Sequence, residues 1–532
     1  MASGNGGTAE ATRSAECPRA SGFRGRWRDD LEARAVYAEG AGIAREIPRA
    51  VAIPADADDV VTLARWAAAT RTPLVPRGSG SGMGGGAVGA GVMVDLSRLD
   101  ALGEVDAASR RVVAGPGVLR GTVEAAARAR GLRFPVDPSS GAFCTVGGMA
   151  ATNAAGPHSL RFGAMRRWVR AVDCVFADGT RAVVRRGAPL PANSPTLARL
   201  DALRTAFRAR PDTPGVAALP GVRKDTSGYA VADWLAGDMV DLLVGSEGTL
   251  AMFVGLELAL APRPQATSSV LAAFPSLEQS VRAATAARVL GASACELLER
   301  TFLDVAREGG TPLPVPWNTE AVLLVEVEAD THARAAEGAR LAARAFRGAG
   351  AVQVTVALDS RTEARIWDLR HRASPTLTRL YPGIASMQFI EDGAVPPERL
   401  PAYVRGVRAA LERQGLRGVI FGHAGDAHVH VNPLVDVHAP GWRERVEALL
   451  AEVAELTASL GGTLAGEHGD GRLRTPLLER TRGRDATALY AAIKDAADPA
   501  GILNPGVKVP LPGQRPLAGI KYDPPHPPRP PP

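Results

Sequence analysis

A glycine-rich stretch, Pro76–Gly91, most constrains how this chain can fold. It lies between two short apolar segments typical of strands, Pro73–Val75 and Val92–Leu96, so we expect a loop inside a domain. Glycine lets the main chain approach a ligand closely, and successive bare N–H groups in a turn form a concavity that binds anions. The stretch therefore predicts a cradle for a phosphate or pyrophosphate, with a flexible linker as the alternative.

The spacing of the glycines does not select one familiar nucleotide motif. Gly80, Gly82 and Gly85 match the dinucleotide fingerprint, but that motif needs a helix directly after the turn. A strand-like segment follows instead, and no Gly-Lys-Ser/Thr sequence closes the loop as in a P-loop. We therefore expect a phosphate cradle between two strands.

Two further segments are rich in small residues. Pro135–Gly156 is dominated by glycine, alanine, serine and threonine, which again favours a close approach of backbone to a flat or charged ligand. Packing of a tight helix is the alternative for this segment. Gly245–Thr249 is a shorter turn of the same character.

Composition excludes several classes of protein. The 532 residues, 46% hydrophobic and 22% charged, suit a globular protein of two or three domains. The net charge is +6, but arginines are scattered without a basic run, so we expect a solvated surface and no nucleic-acid binding. Four cysteines without a Cys-x-x-Cys pair argue against zinc ribbons and iron–sulfur clusters. We see neither a secretory signal nor a membrane-spanning run, so we expect a cytoplasmic protein, with a peripheral membrane contact left open.

Hydrophobic periodicity divides the chain at Pro262–Pro264. Strands and helices alternate before this point, and we assign the apolar segment Asp241–Val244 to a strand. After it, the pattern predicts an antiparallel sheet with helices on one face. Residues 1–44 form an N-terminal extension, and we expect its start to be disordered. We also expect disorder in the proline-rich tail, residues 511–532.

Histidines concentrate near the end of the second part. Residues 422–432 hold three of the nine histidines of the chain, and a strand there would place His428 and His430 on one face. A second segment, Gly466–Gly471, adds a carboxylate and an imidazole between glycines. Together these groups suit zinc or manganese, whereas either segment alone could be a polar surface turn.

These motifs resemble those of the flavin-dependent oxidoreductases of the vanillyl-alcohol-oxidase superfamily, in the branch with the D-lactate and D-2-hydroxyglutarate dehydrogenases. The resemblance covers residues 45–510 and rests on six segments in the same order: Pro76–Gly82, Asp137–Gly156, Gly245–Leu250, Gly422–His430, Gly466–Gly471 and Gly501–Gly506. It implies an α+β fold with a two-subdomain PCMH-type FAD-binding domain at 45–264 and a substrate (cap) domain with an antiparallel sheet at 265–470. A C-terminal segment, 471–510, would return to the flavin.

The resemblance also implies how the cofactor binds. FAD would lie extended between the two subdomains, with its pyrophosphate on the Pro76–Met83 loop. Some members of the superfamily attach FAD through a histidine in this loop, where this chain has Ser81, so we expect non-covalent FAD. The implied cofactor-binding residues are Pro76, Arg77, Gly78, Ser79, Gly80, Ser81, Gly82, Met83, Asp137, Pro138, Thr145, Gly147, Gly148, Ala151, Asn153, Gly156, Gly248 and Asn504.

In this branch two histidines and a glutamate hold a divalent metal, zinc or manganese. The resemblance transfers these roles to His423, His430 and Glu467. The branch usually has Gly-Asn where this chain has Ala427-His428, so the site either gains a ligand or loses its fit.

The resemblance assigns two catalytic residues. His468 matches the general base and Arg370 the arginine that grips the substrate carboxylate, which suits its planar guanidinium. A D-2-hydroxyacid, similar to D-lactate or D-2-hydroxyglutarate, would be oxidised to the 2-oxoacid. A metal would lower the pKa of its hydroxyl, the base would take the proton, and hydride would pass to flavin N5. A quinone, a cytochrome or a separate redox protein would accept the electrons, as could dioxygen.

Other functions remain open on the sequence alone. A non-redox FAD-containing transferase similar to alkylglycerone-phosphate synthase would share the fold, although the three adjacent histidines usual in that family are absent. A flavin-free metal hydrolase would use only the histidine segments. A binding protein without activity would hold flavin that no acid reduces.

Overall fold

A computed structural model of the chain describes residues 19–310, 313–371 and 383–523. The predicted disorder at residues 1–18 and 524–532 lies outside the described residues. The fold is α+β, as predicted. No described helix is both long and apolar enough to cross a membrane.

The first part of the chain, residues 26–262, contains two four-stranded sheets. Its strands are β1 (Arg26–Arg28), β2 (Ala50–Ile53), β3 (Leu74–Arg77), β4 (Val92–Asp95), β5 (Arg111–Ala114), β6 (Leu132–Arg133), β7 (Val169–Val175), β8 (Arg181–Arg185), β9 (Met252–Ala259) and β10 (Ala261–Pro262). Its helices are α1 (Leu31–Val36), α2 (Ala57–Thr70), α3 (Arg120–Arg128), α4 (Val146–Thr152), α5 (Ser159–Phe162), α6 (Pro195–Arg208), α7 (Thr213–Ala217), α8 (Val231–Ala236) and α9 (Met239–Leu243).

The first sheet has the strand order β1-β2-β4-β3, in which β2, β4 and β3 are parallel. Its apolar face packs against α2, which begins where the Asp56 side chain accepts hydrogen bonds from two backbone N–H groups. The glycine-rich loop, residues 78–91, connects β3 to β4, so the sequence placed it correctly between two strands. The second sheet is antiparallel, in the order β5-β9-β7-β8.

The strand assigned to Asp241–Val244 is wrong, because these residues belong mainly to helix α9. The Asp238 side chain accepts from the N–H of Val240, and the Asp241 side chain accepts from the N–H of Asp238. This reciprocal cap satisfies donors at the start of the helix. A short apolar run has the same pattern in a buried strand and a buried helix, so the cap decided its structure.

The second part of the chain is built on one large sheet. Its strands are β11 (Ala266–Phe274), β12 (Ala294–Glu299), β13 (Ala321–Ala329), β14 (Gln353–Ala357), β15 (Ile384–Ser386), β16 (Gly393–Ala394), β17 (Arg417–His423) and β18 (His428–Asp436). Its helices are α10 (Leu277–Val289), α11 (Arg300–Glu308), α12 (His332–Gly348), α13 (Ser360–His371), α14 (Leu400–Arg413) and α15 (Trp442–Ser459). The chain continues into α16 (Gly471–Arg474), α17 (Leu478–Arg482) and α18 (Arg484–Ala497).

The large sheet is antiparallel, in the order β14-β11-β13-β12-β17-β18-β15, with β16 beside β18. Successive residues of β13 point to opposite faces: Leu323 packs in the core under α10, α12, α14 and α15, whereas Leu324 packs in a second core. Phe302 of α11 and Ile366 of α13 complete that second core. The prediction of helices on one face only is therefore wrong, because both faces of the central strands are apolar and both must be covered.

The C-terminal segment returns to the first part of the chain. Leu503 forms a parallel bridge with Leu74 at the edge of β3, which extends the first sheet. The proline-rich region was predicted to be disordered from residue 511, but residues up to 523 are folded. Ile520 is buried and pairs with Ala44, and Arg443 binds Asp523. Apolar burial and these pairs outweigh the tendency of proline-rich sequence to remain extended.

Candidate active site

One cavity of about 370 Å³ joins the predicted cofactor loops to the predicted catalytic residues. The glycine-rich loop forms one wall, and α4 with the residues before it forms another. The predicted cofactor residues that line the cavity are Pro76, Arg77, Gly78, Ser79, Gly80, Ser81, Gly82, Met83, Pro138, Thr145, Gly147, Gly148, Ala151 and Gly248. Arg370, His430, Glu467 and His468 line the same cavity.

The close packing of its walls explains why small residues dominate them. A Cβ atom on Gly78 would lie 2.2 Å from the Thr145 hydroxyl, and one on Gly147 would lie 2.4 Å from Pro116. Thr145 caps α4 by accepting from the N–H of Gly148 at 3.3 Å. The segment 135–156 thus contains both predicted features, a short helix and a wall of bare backbone.

Four of the predicted cofactor residues lie behind the walls and support them: Asp137, Asn153, Gly156 and Asn504. The Asp137 carboxylate binds the His158 ring at 2.5 Å. The side-chain amide of Asn504 donates to the carbonyl oxygens of Gly86 and Glu247, at 2.9 and 2.7 Å, and so joins the glycine-rich loop to the turn at 245–249.

Arg77, one of the predicted cofactor-binding residues, is engaged by the protein itself. Its guanidinium is half-buried and donates to the carbonyl oxygens of Glu39 and Ala87, at 2.9 and 3.1 Å. It also stacks over the Tyr37 ring, 5.3 Å from the centroid. The guanidinium therefore holds the fold of the loop, although part of the side chain reaches the cavity wall.

The histidines and Glu467 meet beside the cavity, which His430, Glu467 and His468 line. In the β17–β18 hairpin His423 lies opposite His428, and Phe421 lies opposite His430. Nε2 of His423 and Nε2 of His430 are each 3.4 Å from Oε1 of Glu467. One donor atom from each of four buried residues falls within 4.8 Å of the others. We call these four residues the donor cluster: His423, His428, His430 and Glu467.

Each imidazole of the donor cluster is oriented by a hydrogen bond on one ring nitrogen. Nδ1 of His423 is 2.5 Å from the Glu296 carboxylate, and Nδ1 of His430 is 2.8 Å from the backbone carbonyl of Glu391. Nε2 of His428 is 2.8 Å from the Asp392 carboxylate. Such outer partners fix the tautomer and leave the second nitrogen available for a metal.

Glu467 also carries a buried cationic partner. Nζ of Lys224 donates to its Oε2 at 2.7 Å. Burial raises the pKa of Glu467, but Lys224 and the neighbouring imidazoles outweigh it and hold the pKa well below its usual value. Glu467 is therefore an anion with one oxygen held by Lys224 and the other facing His423 and His430.

His468 lies at the edge of the donor cluster, with its side chain 26% exposed. Its Nε2 is 3.7 Å from Glu467, and its Nδ1 is 3.4 Å from Glu391. Burial lowers the pKa of His468, but the Asp392, Glu391 and Glu467 carboxylates outweigh it and raise the pKa to about 9. The imidazole therefore holds a proton at neutral pH in this arrangement.

Arg370, on α13, lines the same cavity. Its Nε donates to Glu296 at 3.0 Å, and its guanidinium lies over the Phe421 ring, 4.6 Å from the centroid. Glu296 thus joins two predicted residues, because its other oxygen orients His423.

The residues that hold the Gly466–Gly471 loop were not predicted from the sequence. Asp392 accepts from the N–H groups of Glu467 and His468, and Glu247 accepts from those of Asp470 and Gly471. Lys508 binds both Glu247 and Asp470.

The small number of lysines in the sequence could have indicated these buried ammonium groups. Only four lysines occur beside many arginines, and three of them are buried against carboxylates: Lys224, Lys494 and Lys508. Lysine retained in an arginine-rich chain marks places where a compact ammonium fits and a guanidinium does not.

Comparison with known families decides the kind of protein. A model of an FAD binding domain matches residues 48–185, and a model of the C-terminal domain of FAD linked oxidases matches residues 263–507. The D-lactate dehydrogenase of Archaeoglobus fulgidus is 30% identical over 458 residues, which cover 85% of this chain and 89% of that protein. The chain belongs to the FAD-linked oxidase family.

Two other relatives of this FAD-linked oxidase are also named as an oxidase subunit or a dehydrogenase. The glycolate oxidase subunit GlcD of Bacillus subtilis is 28% identical, over 87% of this chain and 89% of that protein. The D-2-hydroxyglutarate dehydrogenase of Pseudomonas putida is 29% identical, over 92% of this chain and 51% of that protein. The predicted resemblance and the prediction of an FAD-dependent enzyme are confirmed.

Solved structures support the fold of this FAD-linked oxidase. The 4-ethylphenol oxidase of Gulosibacter chungangensis superposes with a TM-score of 0.66 at 16% identity, over 92% of this chain and 94% of that one. An alkyldihydroxyacetonephosphate synthase superposes with a TM-score of 0.61 at 15% identity, over 90% and 82%. At these identities the likeness concerns the fold alone.

Proposed function

We propose that this chain is a dehydrogenase that uses non-covalent FAD to oxidise a D-2-hydroxyacid, D-lactate-like or D-2-hydroxyglutarate, to the 2-oxoacid. One observation carries the proposal: a single cavity of about 370 Å³ runs from the glycine-rich loop to Arg370, Glu467 and His468. The names of the relatives, which include a D-lactate dehydrogenase and a D-2-hydroxyglutarate dehydrogenase, support this substrate class.

The cavity walls suit a large flat cofactor with a phosphate bridge. Bare backbone lies where a Cβ on Gly78 or Gly147 would clash, so the walls approach each other more closely than ordinary side chains allow. No histidine occurs in the loop 78–91, which supports a non-covalent attachment. We assign FAD binding to a domain at residues 45–264 and substrate binding to a domain at residues 265–470.

The donor cluster suits a divalent metal such as zinc or manganese. His423 and His430 each have Nδ1 engaged by an outer partner, and each presents Nε2 to the same oxygen of Glu467. Two imidazoles and one carboxylate form a common ligand set for such ions. When bound, the metal lowers the pKa of an alcohol and FAD takes up hydride.

The remaining residues bind the substrate and move its proton. Arg370 offers a guanidinium to the substrate carboxylate, and its Nε bond to Glu296 fixes the direction of approach. His468 takes the hydroxyl proton, which requires its neutral form. A cation beside Glu467 would offset the carboxylates that raise its pKa, and so would favour that form. Electrons leave to a quinone, a cytochrome or a separate redox protein.

Anaerobic titration of the purified yellow protein tests the proposal. We expect D-lactate or D-2-hydroxyglutarate to bleach the flavin absorbance, and the L-enantiomers to leave it unchanged. A panel of 2-hydroxyacids that includes glycolate would identify the substrate. Protein that retains FAD but is bleached by none of these acids would instead favour the transferase alternative.

A further inference from the structure

His428 occupies an unusual position inside the donor cluster. It is completely buried, and one of its ring nitrogens lies within 4.8 Å of donor atoms of the other three members. Nε2 is engaged by Asp392 at 2.8 Å. Nδ1 has no hydrogen-bond partner among the described residues. A buried polar atom without a partner is costly, so it calls for an explanation.

The hydrogen bond to Asp392 defines what Nδ1 can do. Asp392 also accepts from the backbone N–H groups of Glu467 and His468, so its oxygens act as acceptors and the proton lies on Nε2 of His428. The other nitrogen, Nδ1, then carries a lone pair. An imidazole that donates one N–H to a carboxylate and keeps a lone pair on its other nitrogen has the arrangement of a metal-bound histidine.

The ring is also fixed in place. A Cβ atom on Gly466 would lie 2.6 Å from Cδ2 of His428, so only glycine leaves room for the imidazole there. The ring of His430 packs against it edge to face, with centroids 4.7 Å apart. His428 is thus held in one orientation by neighbours on two sides.

We propose that His428 is a fourth protein ligand of the divalent metal and binds it through Nδ1. This inference rests on the proposed function, because it concerns the same metal. The ligand set becomes three imidazoles and one carboxylate oxygen, since Lys224 occupies the second oxygen of Glu467. A set with three nitrogen donors favours zinc, cobalt or nickel over magnesium, calcium and manganese.

Cobalt titration of the FAD-loaded protein tests the inference without any turnover. We compare the wild type with His428→Asn, which keeps a polar side chain but removes the ring. The control is His438→Asn, at an exposed histidine two residues after the end of β18. We expect His428→Asn to weaken Zn²⁺ and Co²⁺ binding at least about tenfold and to change Mn²⁺ binding much less. The visible Co²⁺ bands should lose intensity as a ligand is replaced by water, and His438→Asn should match the wild type.

A second measurement needs no variant. X-ray absorption of the zinc-loaded wild type counts imidazole ligands from their outer-shell scattering, and we expect three. Two imidazoles, or unchanged Zn²⁺ affinity and Co²⁺ bands in His428→Asn, would overturn the inference. The proposed function fails separately: flavin that no 2-hydroxyacid bleaches would refute the dehydrogenase even if three imidazoles bind zinc.

Discussion

The glycine-rich loop and the donor cluster both border one cavity but are built in opposite ways. The loop is made of neighbouring residues, and its shape comes from bare backbone between two parallel strands. The donor cluster is assembled from side chains on separate elements, and its geometry depends on more distant partners. Glu296 lies 127 residues from the His423 it orients, and Lys224 lies 243 residues from Glu467.

Because of this difference, we expect FAD binding and catalytic turnover to be lost separately. Damage to the loop should release FAD and leave the histidine ligands in place, because His423, His428 and His430 belong to another sheet. Damage to the cluster should abolish turnover and leave FAD bound. Substitutions at His468, Glu296 and Gly78 test whether the two regions are independent.

Replacement of His468 should give the largest effect. We expect His468→Gln to lower kcat by about 10²–10⁴-fold, because the proposed mechanism assigns the hydroxyl proton to this imidazole. FAD content, measured by absorbance, should not change. The exposed His438→Gln is the control. A flavin reduction rate equal to that of the wild type would remove His468 from its assigned role.

Replacement of Glu296 tests whether a residue far away in the sequence orients a ligand of the donor cluster. Glu296→Gln should weaken metal binding about 10–100-fold, because His423 loses its charged outer partner. It should also raise KM, since Arg370 loses the same carboxylate. Metal affinity is measured by competition with a chromophoric chelator. Glu278→Gln, in an exposed pair with Arg405, serves as the control. A simultaneous loss of FAD would show that the two regions are coupled.

Gly78 tests the packing of the loop, with the exposed Gly348 at the end of α12 as the control. Gly78→Ala places a Cβ 2.2 Å from Thr145, whereas a Cβ on Gly348 meets nothing within 4 Å. Overpacking costs about 1–3 kcal/mol, so we expect FAD affinity to fall roughly 10–100-fold in Gly78→Ala. Gly348→Ala should bind FAD as the wild type does. Fluorescence titration with FAD measures both. Equal affinities would contradict the close packing of the two walls, and metal content should be normal in each variant.

The smallest effect concerns His158, which joins the two parts of the chain. Burial lowers its pKa, but Asp137 and Glu326 outweigh it and raise the pKa to about 11. A folded-state pKa above the unfolded value of about 6.5 means that this stabilisation is complete below pH 6.5 and is lost as pH rises toward 11. We expect the free energy of unfolding to fall by about 1–2 kcal/mol between pH 7 and 10, since the ring is partly exposed.

Urea unfolding at several pH values checks this expectation. His158→Gln should flatten the pH dependence over that range while reducing stability at pH 7. A variant with the same slope as the wild type would show that another group causes the alkaline loss.

Features set by neighbouring residues could be predicted from the sequence, whereas contacts between residues far apart in the chain could not. The loop at 78–91 and the strand that carries His428 and His430 follow from residue types and spacing over a few positions. Asp392 and Glu247 hold the catalytic loop through backbone bonds that no spacing reveals. The assignment of Asp241–Val244 failed because a capping pair, not periodicity, selected a helix.

The return of the C-terminus has a consequence for how the protein is made. Asn504 joins Gly86, 418 residues earlier, and Leu503 extends the sheet edge formed by Leu74. During synthesis the nucleotide cradle therefore emerges long before the segment that completes it. A nascent chain therefore cannot complete the cradle before residue 504 has emerged, so release before that point leaves Leu74 and Gly86 without these partners.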